Sequence, residues 1–345
     1  MKKIFFVLAL PLFAFSQQTI NGSIIHNNVQ RDYILYVPAM YNISNPTPLV
    51  FNFHGRSGTS TIAMWHADFR SIADTANFII VHPQGLLNNS GVTHWNVGQT
   101  GTSINDIDFV SALLDSLSLE YNIDSDRVYS TGMSNGAYMS YRIACEISGK
   151  IAAIAPVAGS YISYMLNSCN PIHPTPVLHI HGVSDTMSIY SGKPGVESIP
   201  SIISYWVNHN QCDTQSIFTQ VANINLMDSS TAEHYVWKNG LNGIEVEHFK
   251  IIDGGHTWPG SNFPNSNGLT NYDINASVEI WKFFSRYDIN GLINSSTFVT
   301  EIESKGKKLI KIVDVLGRES FSIKNSPLFY IFDDGSVEKK IQINE

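Results

Sequence analysis

The chain is short of charge. Lys, Arg, Asp and Glu make up only 14% of its 345 residues, and 21 basic against 29 acidic groups leave a formal net charge of -8. With no basic stripe in its main part, it does not read as a nucleic-acid binder, and an anionic polymer is a poor candidate substrate. Low charge beside a 43% hydrophobic content also argues against disorder across the bulk of the chain. The length suffices for one large domain plus a small one.

Cysteine is scarce and odd in number: Cys145, Cys169 and Cys212. At most one bridge can form within the chain. Cys145 falls on the apolar face of a helical stretch and reads as a buried free thiol. Cys169 and Cys212, in loop-like surroundings, are the expected pair.

A long hydrophobic run is missing as well. The apolar segment 4–15 is shorter than the roughly 20 residues a membrane span needs. Lys2 and Lys3 precede it, and the small residues Ala14 and Ser16 follow. It reads as a secretory leader at 1–16, cut before Gln17, with no cysteine placed for a lipid anchor. The expectation is a secreted protein without stable membrane insertion. No longer repeat and no low-complexity tract is present.

What the chain does have is Gly132-Met133-Ser134-Asn135-Gly136, a Gly-x-Ser-x-Gly run. Residues 127–131 before it look like a strand. Ala137, Tyr141, Ala144 and Cys145 after it fall at helical spacing. A serine on a sharp strand-to-helix turn holds its hydroxyl clear of the sheet. The helix N-terminus beside it can stabilise an oxyanion.

Around this turn, strand-like and helix-like segments alternate. Strands are predicted at 31–37, 48–54, 78–82, 128–131, 151–157, 177–181, 234–238 and 246–252. Helices are predicted at 61–76, 106–121, 198–208 and 277–287. Alternation of this kind predicts an α/β fold, a mostly parallel sheet flanked by helices. After Asp288 only strand-like pieces follow, at 298–302, 308–315, 328–332 and 337–343. The reading is a catalytic domain over 17–289, a linker over 290–303 and a small C-terminal all-β module over 304–345.

A serine nucleophile needs a base, and the base an orienting acid. On such sheets the order is Ser, Asp or Glu, then His. Asp185, in His181-Gly182-Val183-Ser184-Asp185, and His256, in Gly254-Gly255-His256-Thr257-Trp258, follow Ser134 in that order, each just past a strand end. The plainer readings are a turn aspartate and a loop histidine. The oxyanion hole is assigned to the backbone N–H groups of Asn135 and Arg56, with Gly55 next in line. Trp258 and Trp95 are candidate substrate contacts, and Trp65 a further site aromatic. His179 and His181 alternate on one strand face but lack a third ligand at suitable spacing, so no metal is assigned. Asp106 and Asp108 read as caps of the following helix. The chemistry needs no cofactor.

Together, His54-Gly55, Trp95-Asn96-Val97-Gly98, Gly132 to Gly136, residues 155–159, His181-Gly182 with Asp185, and residues 255–260 resemble secreted polyhydroxybutyrate depolymerases and feruloyl esterases. The resemblance spans about residues 30–287. It implies an α/β-hydrolase fold, Ser134 as nucleophile, Asp185 as acid and His256 as base. Arg56 departs from the small residue or cysteine common there, and 186–190 lacks the usual proline. Residues 311–318 and 330–336 resemble C-terminal sorting domains of type IX secretion, which implies that export machinery as a partner. The expected activity is hydrolysis of feruloyl or acetyl esters of plant polysaccharide, or of short polyhydroxyalkanoates. A secreted peptidase on the same fold and a catalytically dead binding protein are the alternatives.

Overall fold

The computed structural model describes residues 17–98, 103–263, 266–293, 309–313, 327–332 and 337–341. The leader at 1–16, residues 294–303 of the linker and the strand at 298–302 lie outside them. The chain divides into two units, Met1–Ile293 and Asn294–Glu345.

In the first unit, β1 (Gln18–His26), β2 (Val29–Val37) and β3 (Thr47–Phe53) are followed by α1 (Ser60–His66), α2 (Arg70–Ala76) and β4 (Ile79–Pro83). Next come α3 (Asp106–Glu120), β5 (Ile123–Met133), α4 (Asn135–Glu146), β6 (Ala153–Val157), α5 (Ser163–Ser168) and β7 (Val177–Gly182). Then follow α6 (Ile199–His209), β8 (Ile217–Gln220), β9 (Thr231–Trp237), β10 (Val246–Ile252) and α7 (Ala276–Phe284). The ten strands form one sheet in the order β1-β2-β4-β3-β5-β6-β7-β10-β9-β8. Its centre, from β4 through β3, β5, β6 and β7 to β10, is parallel. Antiparallel pairs finish both sides.

The central strands are apolar because both faces are covered. Every residue of β3, β4, β6 and β7 is buried. Alternate residues feed two cores: Leu49, Phe51 and Phe53 pack with α3, α4 and α6, while Val50 packs with α2 and α7. Parallel strands end on the same side of a sheet. The C-terminal ends of β5, β7 and β10 therefore deliver Ser134, Asp185 and the loop of His256 to one edge, where ligands approach such sheets.

Several expectations need correction. The helix predicted at 61–76 is two, because Asp68 offers its carboxylate to the Arg70 N–H at 3.0 Å and to the Arg70 guanidinium at 2.9 and 2.7 Å. A short acid that bonds its own backbone competes with the helix ladder. The cap of α3 is Asn105, whose side chain accepts from the Asp108 N–H at 3.2 Å. Asp106 is instead paired with Arg31. The cysteines pair differently too: Cys145 and Cys169 form the disulfide, with Cα atoms 4.9 Å apart, and Cys212 is the buried free thiol. Burial pushes that thiol up to about 11.

The second unit, taken alone, contains a three-stranded antiparallel sheet of residues Leu309–Val313, Pro327–Phe332 and Val337–Ile341, with the middle segment central. Among the described residues no helix is long and apolar enough to cross a membrane.

The Arg31–Asp106 pair ties β2 to the start of α3. Arg31 Nη2 lies 2.7 Å from Asp106 Oδ1, and the two side chains are 2% and 0% exposed. The other Asp106 oxygen accepts the Asn96 N–H at 2.7 Å. Arg31→Met would leave a buried carboxylate without its cation, at a cost of about 3–5 kcal/mol. Urea unfolding is the check. A loss under about 1 kcal/mol would put the pair in the class of surface ion pairs.

Candidate active site

Ser134 occupies the turn between β5 and α4 with φ 56° and ψ -119°. A side chain rarely adopts this conformation, and here neighbours enforce it. The Ser134 N–H donates to the Val157 carbonyl at 3.0 Å. Its own carbonyl accepts from the N–H groups of Ala137 and Tyr138 at 2.9 and 3.1 Å. A Cβ on Gly132 would stand 2.7 Å from the Phe53 carbonyl oxygen, and one on Gly136 would collide with the same atom. The two glycines thus let the end of β3 press against the turn.

Asp185 and His256 meet, although 71 residues separate them. His256 Nδ1 donates to Asp185 Oδ2 at 2.7 Å. The other carboxylate oxygen accepts the Met187 and Ser188 N–H groups, each at 2.8 Å. Asp185 is 3% exposed and His256 4%. The His256 loop is held from outside by N–H donation from Gly255 to Leu269 at 2.9 Å and from His256 to Asn267 at 2.8 Å. Ser134 and His256 line one cavity of about 280 Å³, together with Gly55, Arg56, Met133 and Met187.

The loop after β3 forms another wall. A Cβ on Gly55 would lie 3.4 Å from Ser134 Cβ, so backbone reaches the serine here. Arg56 is exposed at the cavity mouth. Asn135 is the first residue of α4, and its side chain clasps the backbone of Trp95: Oδ1 accepts its N–H at 2.6 Å and Nδ2 donates to its carbonyl at 3.2 Å. Trp95 is not a substrate contact. It is 1% exposed, lies outside the cavity lining, and its indole N–H holds the His54 carbonyl at 2.9 Å. Trp95 therefore braces both the 54–58 loop and Asn135. His54 continues the brace, donating from Nδ1 to the Gly55 carbonyl at 2.7 Å and accepting the Gly85 N–H at Nε2 at 2.9 Å. Trp258 is equally buried, at 1% exposure, but it does line the cavity, and its indole N–H donates to Ser277 Oγ at 3.1 Å.

No protein-family model matches the chain. A bifunctional acetylxylan esterase/xylanase of Neocallimastix patriciarum is 26% identical over 279 residues, which is 81% of this chain and 36% of that protein. A feruloyl esterase C of Emericella nidulans is 28% identical over 194 residues, 54% of this chain and 64% of that one. The chain thus spans about a third of the first relative and just under two thirds of the second. An acetyl xylan esterase structure from Aspergillus awamori superposes with a TM-score of 0.54 at 17% identity, over 77% of this chain and 99% of that one. The fold is that of the α/β-hydrolases.

Behind Asp185 runs a buried chain that the sequence reading did not assemble. Tyr141 Oη donates to His179 Nδ1 at 2.7 Å, and His179 Nε2 lies 3.1 Å from His181 Nδ1. His181 Nε2 lies 2.7 Å from the Ser188 carbonyl. A carbonyl can only accept, so His181 carries its proton on Nε2 and receives one from His179 Nε2. Both rings are neutral and their nitrogens are occupied, which leaves no lone pair for a metal. Among the described residues no group of three or more His, Cys, Asp or Glu could hold one. His181 fixes the carbonyl of the residue whose N–H fixes Asp185, and its Nε2 is 3.4 Å from Asp185 Oδ2. The alternation of His179 and His181 was the available signal, but the hydroxyl at one end and the carbonyl at the other come from remote segments.

Burial pushes His54, His66 and His181 down to about 4, and His82 and His248 to about 3. Unfolded histidine titrates near 6.5. Between about pH 4 and 6.5 the unfolded chain binds more protons than the folded one, so stability rises with pH across that window and falls on acidification. Each such histidine contributes at most roughly 1.4 kcal/mol per pH unit. Urea midpoints are expected to fall steadily from pH 7 to 4.5. A midpoint that holds constant or climbs on acidification would contradict this burial of neutral imidazoles.

Proposed function

We propose that the chain is an exported serine carboxylesterase that hydrolyses acyl esters of plant polysaccharide through Ser134, His256 and Asp185. The observation that carries the reading is the 2.7 Å Asp185–His256 hydrogen bond opening onto the cavity that Ser134 faces from its turn. Ser134 Oγ attacks the ester carbonyl carbon while His256 Nε2 takes its proton. Asp185 holds the imidazole in the tautomer that carries its proton on Nδ1, so that Nε2 is the nitrogen that takes the serine proton, and stabilises the charged form. The N–H groups of Asn135 and the 55–56 loop receive the oxyanion, an effect worth about 3–4 kcal/mol per donor in comparable sites. The tetrahedral intermediate collapses, the C–O bond to the alcohol breaks, and His256 returns the proton to the departing oxygen. Water then attacks the acyl-serine by the same route, releasing acid and restoring Ser134. The relatives named for acetylxylan and feruloyl ester hydrolysis favour these acyl groups over hydroxyalkanoate polyesters.

Ser134→Ala is expected to lower kcat on p-nitrophenyl acetate by about 10⁴-fold or more. A fluorophosphonate probe should label the native protein and not the variant. Residual turnover near the native rate would remove Ser134 from the chemistry. Native protein offered methyl ferulate, acetylated xylan and polyhydroxybutyrate should turn over at least one of the first two. Activity on the polyester alone would refute the polysaccharide reading.

Export rests on the leader at 1–16 and on the terminal β module at 304–345, read as a tail for type IX secretion. Deleting 304–345 should leave active enzyme in the periplasm. Unimpeded release into the medium would reject the sorting role.

A further inference from the structure

A second hollow, of about 450 Å³, adjoins the cavity of Ser134. Trp258 and His66 line both. Trp258 stands two residues beyond His256, the group that returns a proton to the departing alcohol. The alcohol half of an ester bound at Ser134 must therefore lie on the His256 side. His66 is also close to His256. Burial first, and the neighbouring imidazole second, keep it neutral. The border that the two spaces share is thus uncharged.

The hollow's chemistry narrows its occupant. Trp65 is 51% exposed there, and the Arg70 guanidinium stacks on its indole at 4.2 Å, which steadies the ring. Phe263 packs on His66 with ring centroids 5.4 Å apart. Ser71 and Asn262 add polar groups, and the Asp68 carboxylate is taken up by Arg70 at 2.9 and 2.7 Å. A long aliphatic alcohol would leave these polar groups without water or partner. A charged leaving group would find its natural counter-ions already paired. A sugar ring fits both halves of the lining: its C–H face packs on aromatic rings, and its hydroxyls bond amide and hydroxyl side chains.

We propose that this hollow is the leaving-alcohol subsite and that it takes a neutral saccharide, the ring whose hydroxyl carries the acyl group, with Trp65 and Phe263 as its platforms. The proposal rests on the ester-hydrolase reading of Ser134. It places the acyl group and the sugar in adjoining spaces that share Trp258 and His66 as lining. Specificity for the acyl group and for the sugar is then set by different residues.

The test compares acetylated xylo-oligosaccharides with p-nitrophenyl acetate, which has the ester and no sugar. In Trp65→Ala and in Phe263→Ala, the ratio of kcat/KM for the saccharide ester to that for the aryl ester should fall about tenfold, chiefly through KM. Trp65→Phe, which keeps a ring, should restore most of the ratio. Calorimetric binding of unesterified xylotriose to Ser134→Ala should weaken about tenfold when Trp65→Ala is added. A ratio unchanged within about twofold in both alanine variants, or xylotriose affinity indifferent to Trp65, would overturn the subsite while leaving the esterase reading intact. Failure of the native protein to hydrolyse either ester would overturn the esterase reading itself.

Discussion

The site depends on one strained residue and on the contact that keeps it strained. A serine at φ 56° and ψ -119° costs of order 1–3 kcal/mol. The sheet order meets that cost. β3 lies next to β5 in parallel register, Phe53 opposite Gly132, so the last carbonyl of β3 abuts the turn. β6 lies on the other side and supplies the Val157 carbonyl to the Ser134 N–H. The same adjacency brings the chain leaving β3, residues 54–58, against Ser134. The strained turn and the loop facing it are two results of a single strand neighbourhood.

Asp185 is fixed in a comparable way, by polar contacts drawn out of water. Both its oxygens are committed, one to two N–H groups and one to His256. His181 anchors the loop that supplies those N–H groups. Such a carboxylate has little freedom to reorient, and in the proposed reaction it would meet an imidazole that becomes charged with its orientation already set. The neutral, fully bonded histidines behind it are the buried polar network that makes this rigidity possible.

Ser134, Asp185 and His256 stand out in the sequence because each sits at a strand end with a local signature: paired glycines around Ser134, Gly182 before Asp185, Gly254-Gly255 before His256. The fold adds the Asp185–His256 hydrogen bond and a cavity lined by both Ser134 and His256. What was not legible depended on remote partners. β1 was missed because Gly22 weakens its pattern. In the sheet the ring of Tyr33, its antiparallel partner, lies over the glycine and covers the gap. The role of Trp95 was misjudged because an indole in a loop carries no sign of the His54 carbonyl 41 residues upstream that it will hold. Loop-like surroundings point to Cys169 and Cys212, but the bridge follows the packing of α4 and α5. Cys145 lies on the edge of the α4 face packed against the core, within reach of the end of α5. The break between α1 and α2 turned on a single carboxylate preferring its own backbone.

The cross-link between Cys145 and Cys169 also bears on where the molecule is fully itself. It closes a segment with a sequence separation of 24 and clamps α4, the helix that follows Ser134, to the segment leading into β7, which ends shortly before Asp185. A loop of that size restricts the unfolded chain by roughly 3 kcal/mol. In a reducing compartment the thiols stay apart, and the newly made chain forgoes this restraint. Only in an oxidising one does the bond close, and with Cys212 shut inside the core, Cys145 and Cys169 have just each other as partner. Heat tolerance therefore depends on the redox state around the folded chain and not on its sequence alone.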